Sequence, residues 1–229
     1  MREIVLDTET TGLDPKSGHR IVEIGCVELV NHVPTSRTYH QYINPERDMP
    51  AEAFRVHGLS VEFLGEHPVF AEIVDAFVEF VDGATLIIHN AEFDMGFINA
   101  ELGKLDRPRL AMESTIDTVR MARKKFPGAP ANLDSLCKRF GIDNSNRELH
   151  GALLDARLLA DVYLELIGGR QTDLGFSGDR NRADGGEVDS TSVARAPRAH
   201  SPSPEEEARH RAFLTKLSSP LWLADDPAS

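Results

Sequence analysis

Apolar runs in the first ninety residues predict four strands. Short runs cover residues 3–8, 21–30 and 38–43, and a compact buried run covers residues 85–89. Runs of this length bounded by polar turn residues are typical of strands. The short connections between the first three favour an antiparallel meander.

Helical periodicity takes over after the third strand. Apolar residues recur at a spacing of three and four over residues 70–81, which predicts an amphipathic helix. The same reasoning predicts helices over residues 91–105, 118–125, 133–140 and 152–167. Three strands followed by a helix, a strand and several helices indicate an α/β fold with a mixed sheet.

The pattern changes abruptly after residue 168. Residues 169–204 are rich in Gly, Ser, Asp, Arg and Pro and have almost no large apolar side chain, so they predict a flexible linker. Residues 205–229 regain apolar character: three glutamates predict a helix start, and Phe213, Leu214 and Leu217 form a stripe before Pro220 ends the helix. The predicted organisation is a domain over 1–168, the linker, and a terminal segment.

Charge and composition limit the classes of protein to which the chain can belong. The 229 residues include 25 Lys+Arg and 37 Asp+Glu, a formal net charge of −12, and 41% are hydrophobic. Such an acidic chain does not hold duplex nucleic acid by bulk charge, although carboxylates that bind metal stay compatible with a nuclease. Cys26 and Cys137 lack zinc-ligand spacing. Because no apolar run approaches the length of a membrane span, we expect a cytoplasmic protein with no membrane partner.

The first candidate chemistry is the run Asp7-Thr8-Glu9 at the end of the first predicted strand. Alternate residues of a strand share a face, which places the carboxylates of Asp7 and Glu9 about 6.5–7 Å apart. The two carboxylates repel each other unless a cation lies between them. Hard oxygen ligands of this kind suit Mg²⁺ or Mn²⁺. The alternative is a solvated strand end.

Two further acids lie in predicted helices, one in the helix after the buried strand and one in the last long helix. Asp94 lies on the first turn of the helix after the buried strand, where an acid also complements the helix dipole. Asp155 lies within the apolar run of the last long helix, with His150 just before that helix. Both reach one site only if His150 lies in the preceding loop, and Gly151 permits that bend. A lone histidine there is otherwise a surface residue.

Together these residues match the requirements of two-metal phosphodiester hydrolysis. Four carboxylates hold two cations that activate water and stabilise an in-line displacement. A histidine, with its unperturbed pKa of about 6.5, accepts the proton of the water. The combination therefore predicts a metal-dependent nuclease.

Three sequence motifs of the chain resemble those of a known enzyme family. The runs Asp-Thr-Glu-Thr-Thr-Gly, His-Asn-Ala-Glu-Phe-Asp and His-Gly-Ala-Leu-Leu-Asp are similar, in order and spacing, to the three motifs of the DEDDh 3′→5′ exonucleases. The resemblance covers residues 1–168 and is strongest to the members that proofread for bacterial replicative polymerases. It implies a ribonuclease-H-like fold with a mixed five-stranded sheet. A tyrosine four residues before the last acid would mark the sister DEDDy class, and Gly151 stands there instead.

The resemblance also implies roles for the acids and the histidine. Asp7, Glu9 and Asp155 would ligate the first of two Mg²⁺ or Mn²⁺ ions, and Asp7 would reach the second. Asp94 would act on the metals through a water, and His150 would be the general base. The expected reaction removes mispaired 3′ nucleotides as 5′-monophosphates.

The family's nucleotide pocket maps onto further residues of this chain. Backbone groups after the first motif would meet the terminal nucleotide, a Val-His-Gly segment would flank the 3′ end, and two residues precede the second-motif acid. The residues so assigned are Thr10, Thr11, Gly12, Val56, His57, Asn90 and Phe93. For Phe93 the alternative is ordinary core packing.

Two segments beyond residue 168 predict partners. Residues 171–176 resemble a sliding-clamp-binding motif, in which Gln171 hydrogen-bonds and Leu174 and Phe176 act as apolar anchors. The terminal segment is expected to dock on the alpha subunit of the replicative DNA polymerase, since it carries large apolar side chains that the linker lacks. Its candidate docking residues are Phe213, Leu214, Leu217, Leu221 and Trp222. Packing of this segment on its own domain is the alternative.

Two other functions fit parts of the pattern. A DEDDh exoribonuclease that trims RNA ends would carry the same acids, but a free-standing enzyme would not need a linker with a docking segment. A non-catalytic scaffold bridging polymerase and clamp would explain the tail, but it has no use for four converging carboxylates. The predicted substrate is the 3′ end of DNA, single-stranded or frayed.

Overall fold

The computed structural model describes residues 1–145, 149–169 and 201–217. Contacts divide the chain into two compact units, residues 1–178 and residues 179–229. The clamp-like motif with Gln171, Leu174 and Phe176 and the tail residues Leu221 and Trp222 lie outside the described residues. Among the described helices, none is long and apolar enough to cross a membrane.

A five-stranded mixed sheet forms the centre of the first unit. Its strands are β1 (Arg2–Thr10), β2 (Ile21–Val30), β3 (Val33–Tyr42), β4 (Thr85–Ile88) and β5 (Thr115–Asp117). The spatial order is β3-β2-β1-β4-β5, with β1, β2 and β3 antiparallel and β4 and β5 parallel to β1. The predicted meander and the mixed five-stranded sheet are therefore confirmed.

Among the described residues, seven helices belong to the first unit and one to the second. They are α1 (Ala51–His57), α2 (Val61–Gly65), α3 (Phe70–Val81), α4 (Ala91–Lys104), α5 (Thr118–Lys125), α6 (Leu133–Phe140), α7 (Ala152–Leu166) and α8 (Pro204–Leu214). Residues 15–17 and 112–114 add two short 3-10 turns. The long amphipathic helices agree with the predicted positions within a residue at each end.

Both faces of the sheet are covered. One apolar core joins Ile4 and Leu6 of β1 to α3 and α4 through Phe77, Met95 and Phe97. The other joins Val5 of β1 to α5, α6 and α7, with Leu136, Leu159 and Val162 at its centre. Because successive residues of a strand point to opposite faces, Asp7 and Glu9 share the face of Val5, and Thr8 shares the face of Leu6.

Gly25 allows the start of α7 to lie directly on the sheet. It is the strand partner of Asp7 across the β1–β2 pair. A Cβ atom at this position would lie 2.2 Å from the backbone nitrogen of Leu153 and 2.3 Å from the backbone carbon of Ala152. Since both neighbours are backbone atoms, no other residue fits without moving α7. The first turn of α7, which carries Asp155, is thereby held beside Asp7.

The tail helix is shorter than predicted. Ser203 and Glu206 form a capping box, and Pro204 occupies the first turn, so the start follows the sequence signals. The helix ends at Leu214, before Leu217 and well before Pro220. Beyond Thr215 the α-helical bonds give way to a tighter turn, in which the N–H groups of Lys216 and Leu217 donate to the carbonyls three residues earlier, at 3.0 and 3.1 Å.

Candidate active site

The carboxyl ends of β1 and β4 bring the four acids of the three motifs together. Asp7 and Glu9 lie at the end of β1, Asp94 on the first turn of α4 after β4, and Asp155 on the first turn of α7. Glu9, Asp94 and Asp155 are buried, and Asp7 is partly exposed. Together with His150 they line one cavity of about 300 Å³. The parallel pairing of β1 with β4 explains the convergence, because parallel strands end at the same edge of a sheet.

Glu9, His150 and Asp155 form the tightest group in this cavity. Each offers one ligand atom, and these atoms all lie within 4.8 Å of one another. Nδ1 of His150 is 3.4 Å from Oδ2 of Asp155, and the histidine side chain is 46% exposed. His150 lies in the loop before α7, as the bend at Gly151 predicted.

Thr8 holds Asp94 from the opposite face of β1. The backbone N–H and the hydroxyl of Thr8 both donate to Oδ1 of Asp94, at 3.0 and 2.7 Å. Oδ2 is thus the Asp94 oxygen left to reach a cation. Burial raises the pKa of Asp94 to about 7, against the Thr8 hydrogen bonds, which lower it, while the charge of nearby Asp117 raises it further.

The donor set fits hard divalent cations. Four carboxylates and few competing cations converge on a small cavity, and oxygen ligands of this kind suit Mg²⁺ or Mn²⁺. Asp94 is buried, and burial raises its pKa. A cation bound at this site would supply compensating positive charge.

A second cavity of about 550 Å³ opens from the carboxylates. It shares Thr8, Glu9 and Phe93 with the carboxylate cavity. Six of the seven predicted pocket residues line it: Thr10, Thr11, Gly12, Val56, His57 and Phe93. Its volume is in the range of small-molecule sites.

Asn90 is placed elsewhere. It precedes α4 in a left-handed conformation, with φ of 68°, and its N–H donates to Asp117 Oδ1 at 3.3 Å. It lines a third cavity, formed by the start of α4, by α5 and by the loop before α6, and not the one that contains Thr10 and His57.

His57 offers a hydrogen-bond donor to the second cavity. Its Nδ1 accepts the N–H of Leu59 at 3.0 Å, and burial lowers its pKa. Because Nδ1 accepts this hydrogen bond, the ring hydrogen lies on Nε2. That atom is buried and makes no hydrogen bond of normal geometry among the described residues, while the nearby backbone of Thr10 acts to raise the pKa of the ring. A ligand that reaches the cavity wall can accept this hydrogen.

Several residues at the site were not predicted from the sequence. Asp134, on the first turn of α6, adds a fifth acid to the rim of the carboxylate cavity, and His19 lines the larger cavity. His19 Nδ1 lies 3.1 Å from the hydroxyl of Thr11. Thr8 was the one residue that strand alternation could have identified, because it faces the helix that carries Asp94.

Comparisons with known proteins place the chain among nucleases. A family model described as Exonuclease (RNase_T) matches residues 4–163. The DNA polymerase III subunit epsilon of Rickettsia felis is 52% identical over 223 residues, covering 95% of this chain and 97% of that protein. Its Escherichia coli K12 counterpart is 44% identical over 238 residues, covering 97% and 98%.

A solved structure supports the fold. The nuclease domain of 3′hExo, described as a DEDDh family member bound to rAMP, matches with a TM-score of 0.62 at 18% identity. The match covers 72% of this chain and 91% of that one. At this identity the likeness extends to the fold alone.

Proposed function

The chain belongs to the exonuclease family and, within it, to the DNA polymerase III epsilon subunits, and we propose that it is the 3′→5′ proofreading subunit of the replicative DNA polymerase of its cell. It hydrolyses mispaired 3′-terminal nucleotides of DNA and releases them as 5′-monophosphates. As part of that polymerase it works in the cytoplasm. The observation that carries the catalytic part is the convergence of Glu9, His150 and Asp155 within 4.8 Å, next to the buried Asp94.

Exonucleases of this family depend on divalent cations, and two Mg²⁺ or Mn²⁺ ions fit the donor set. Asp7, Glu9 and Asp155 would hold the first ion, Asp7 would reach the second, and Asp94 would act through a water. When bound, the ions supply the positive charge that activates a water molecule and stabilises the attacking and leaving oxygens. Burial of the carboxylates strengthens that interaction, because the local dielectric is low.

His150 takes the proton of the attacking water. Its Nδ1 is directed at Asp155, so we assign Nε2 as the atom that accepts the proton. The partial exposure of the ring suits this role, because the proton must leave to solvent before the next cycle. The carboxylate of Asp155 stabilises the imidazolium that forms.

The terminal nucleotide occupies the cavity of about 550 Å³ next to the carboxylates. Its lining includes Thr10, Thr11 and Gly12 after β1 and Val56 and His57 of α1. The Nε2 hydrogen of His57 is a donor for the nucleotide. Phe93, which lines both cavities, packs at the junction between nucleoside and scissile phosphate.

The terminal segment docks on the alpha subunit of the polymerase. In α8 and the turn after it, Phe213 and Leu217 keep 57% and 41% of their surface exposed, while Leu214 is buried. Exposed large apolar side chains next to one another favour a protein partner. We keep the division into an exonuclease domain over 1–168, a linker over 169–204 and a docking segment over 205–229, with Leu221 and Trp222 as further anchors.

The linker carries the clamp contact. Gln171, Leu174 and Phe176 supply one hydrogen-bonding and two apolar anchors at motif spacing. A synthetic peptide of residues 169–178 binds the cognate sliding clamp if this is right. Absence of binding at millimolar peptide refutes the clamp contact and leaves the exonuclease proposal intact.

Co-purification tests the polymerase assignment. The tagged full chain, recovered from its native cell, brings down the alpha subunit, and a chain that lacks residues 204–229 does not. The truncated chain keeps its exonuclease activity on single strands, which serves as the control for folding. Recovery of RNA-processing proteins would favour an exoribonuclease, and equal recovery of the polymerase by both chains would place the docking site elsewhere.

A further inference from the structure

A third cavity adjoins the carboxylate cavity. Its volume is about 650 Å³, and it shares His89 and Asn132 with the carboxylate cavity. It shares no lining residue with the cavity that contains His57. The carboxylate cavity therefore adjoins both of the others, which have separate walls.

This arrangement offers a path for a substrate strand. If the terminal nucleoside fills the cavity that contains His57 and the scissile phosphate lies over the carboxylates, the remaining strand must leave the carboxylates through another opening. The third cavity, formed by the start of α4, by α5 and by the loop before α6, adjoins the carboxylates and is separate from the nucleotide cavity. This step rests on the proposed exonuclease function.

The polar groups of the third cavity suit an anion. Arg120 is already paired, with Glu92 at 2.5 Å and with Asp117 at 3.7 Å. Arg123 lies one helical turn further along α5, on the same side, and is exposed. Within the described parts of the chain it makes no ion pair, so its guanidinium is the uncompensated charge of this cavity.

Asn132 adds a neutral donor beside this charge. As the N-cap residue of α6, it uses Oδ1 to accept the N–H of Ser135 at 2.8 Å. The amide nitrogen is consequently the end of the side chain that faces a ligand. Arg123 and Asn132 both line this cavity, and their guanidinium and amide nitrogens are donors only, which matches phosphate oxygens.

We propose that the cavity between α5 and α6 is the binding site for the upstream strand, in which Arg123 and Asn132 hold the phosphodiester that precedes the scissile one. The need for such a site follows from the charge of the protein. A chain of net charge −12 with five acids around its reaction centre repels a polyanion, so a local cation next to those acids keeps the strand in place.

Lys124 provides a matched control. It is the neighbour of Arg123 on α5, it carries the same charge and it is also exposed, but it does not line the cavity. Lys125 is unsuitable, because its Nζ donates to the carbonyls of Glu165 and Leu166 at the end of α7. The comparison of Arg123→Ala with Lys124→Ala thus separates the cavity from the general charge of the helix.

The test compares two substrates with the full-length chain. One is a single-stranded DNA oligonucleotide that extends past the third cavity, and the other is the p-nitrophenyl ester of thymidine 5′-monophosphate, which has no upstream phosphate. With Arg123→Ala we expect KM for the oligonucleotide to rise about three- to fivefold, the upper part of the range for an exposed ion pair, at unchanged kcat. The salt dependence of oligonucleotide binding falls by about one phosphate contact. Hydrolysis of the ester stays at the wild-type rate.

Two outcomes would overturn the site. One is that Arg123→Ala and Lys124→Ala behave alike on the oligonucleotide, and the other is that Arg123→Ala slows the ester equally. To keep this question separate from catalysis, the affinity for a labelled oligonucleotide is also measured by anisotropy in a His150→Ala background. Weaker binding on adding Arg123→Ala there supports the site even if the proposed hydrolysis fails, and unchanged binding contradicts it.

Discussion

Thr8 donates two hydrogen bonds to the same oxygen of Asp94, one from its backbone and one from its hydroxyl. The contact joins β1 to the first turn of α4 across the sheet edge. It fixes a buried carboxylate that no cationic side chain within the described ranges neutralises directly. Ionising this carboxylate in the folded protein therefore costs electrostatic free energy when no metal is bound. As a result, the free energy of unfolding should depend on pH.

In EDTA, the free energy of unfolding should fall as the pH rises from about 4 to about 7. Burial raises the pKa of Asp94 to about 7 in the folded chain, whereas an unfolded Asp titrates near 3.9. Between these values the folded state binds a proton that the unfolded state has released, so stability is greatest below the lower pKa and is lost toward the upper one. For one proton the slope reaches at most about 1.4 kcal/mol per pH unit. Urea unfolding at several pH values measures it.

Asp94→Asn is the control for that slope, because it removes the titrating proton and keeps the shape. Its stability should change less between pH 4 and 7 than that of the wild type. Thr8→Val removes a hydrogen bond that lowers the Asp94 pKa, so it should move the transition to higher pH. Parallel curves for wild type and Asp94→Asn would show that another group is responsible.

Gly25→Ala should remove most activity while the chain stays folded. The added methyl group meets the backbone of Ala152 and Leu153 and forces the start of α7 off the sheet, carrying Asp155 with it. A displacement of about 1 Å in a catalytic group costs on the order of 10²-fold in rate. The measurement is kcat on single-stranded DNA, with thermal unfolding in parallel.

Gly96→Ala is the matched control for this substitution. Gly96 lies in α4, the helix that carries Asp94, and nothing lies within 4 Å of a Cβ atom added there. Alanine in a helix interior should leave activity unchanged and stabilise the fold by about 0.5–1 kcal/mol. If Gly25→Ala were as active as Gly96→Ala, the close approach of α7 would have no part in building the site.

His150→Ala should lose at least the ~10²-fold typical of removing a general base. Because the ring nitrogen lies within 4.8 Å of ligand atoms on Glu9 and Asp155, the geometry also permits a ligand role. Titration calorimetry with Mn²⁺ distinguishes the two. As a base, His150 affects metal affinity much less than Asp155 does, so equal losses of affinity in His150→Ala and Asp155→Ala would reverse the assignment.

Strong periodicity and local motifs made much of the structure predictable. The helices over Phe70–Val81, Thr118–Lys125 and Leu133–Phe140 occur at the predicted bounds, because apolar spacing and polar ends agree there. The exonuclease family predicted from the three motifs is confirmed by the match over residues 4–163. Acids placed at strand ends converge because chain topology brings those ends together.

Elements that bury few side chains were missed, or were predicted only in part, from the sequence. The strand β5 has only three residues, none of them fully buried, and β3 begins five residues earlier than predicted because its first half is polar and exposed. The helices α1 and α2 are short, and each buries a single residue, His57 and Leu64. Their periodic signal is too weak to separate from a loop.

The third cavity could not be predicted for a different reason. Its walls come from segments that are far apart in sequence, around His89, Arg123 and Asn132. Arg123 by itself suggests only a cation that complements a helix end. Its relation to the carboxylates depends on tertiary packing, which no local pattern encodes.

The most direct test of the account is the release of nucleotides from a single-stranded DNA labelled at its 5′ end. With Mg²⁺ or Mn²⁺, the full-length chain should shorten the strand stepwise from the 3′ end and release 5′-mononucleotides, and EDTA should stop the reaction. Asp7→Ala and Glu9→Ala should remove nearly all activity and keep or raise the melting temperature in EDTA, since clustered charge is reduced. Wild-type hydrolysis that persists in EDTA, or an Asp7→Ala chain as active as the wild type, would contradict a metal-dependent exonuclease.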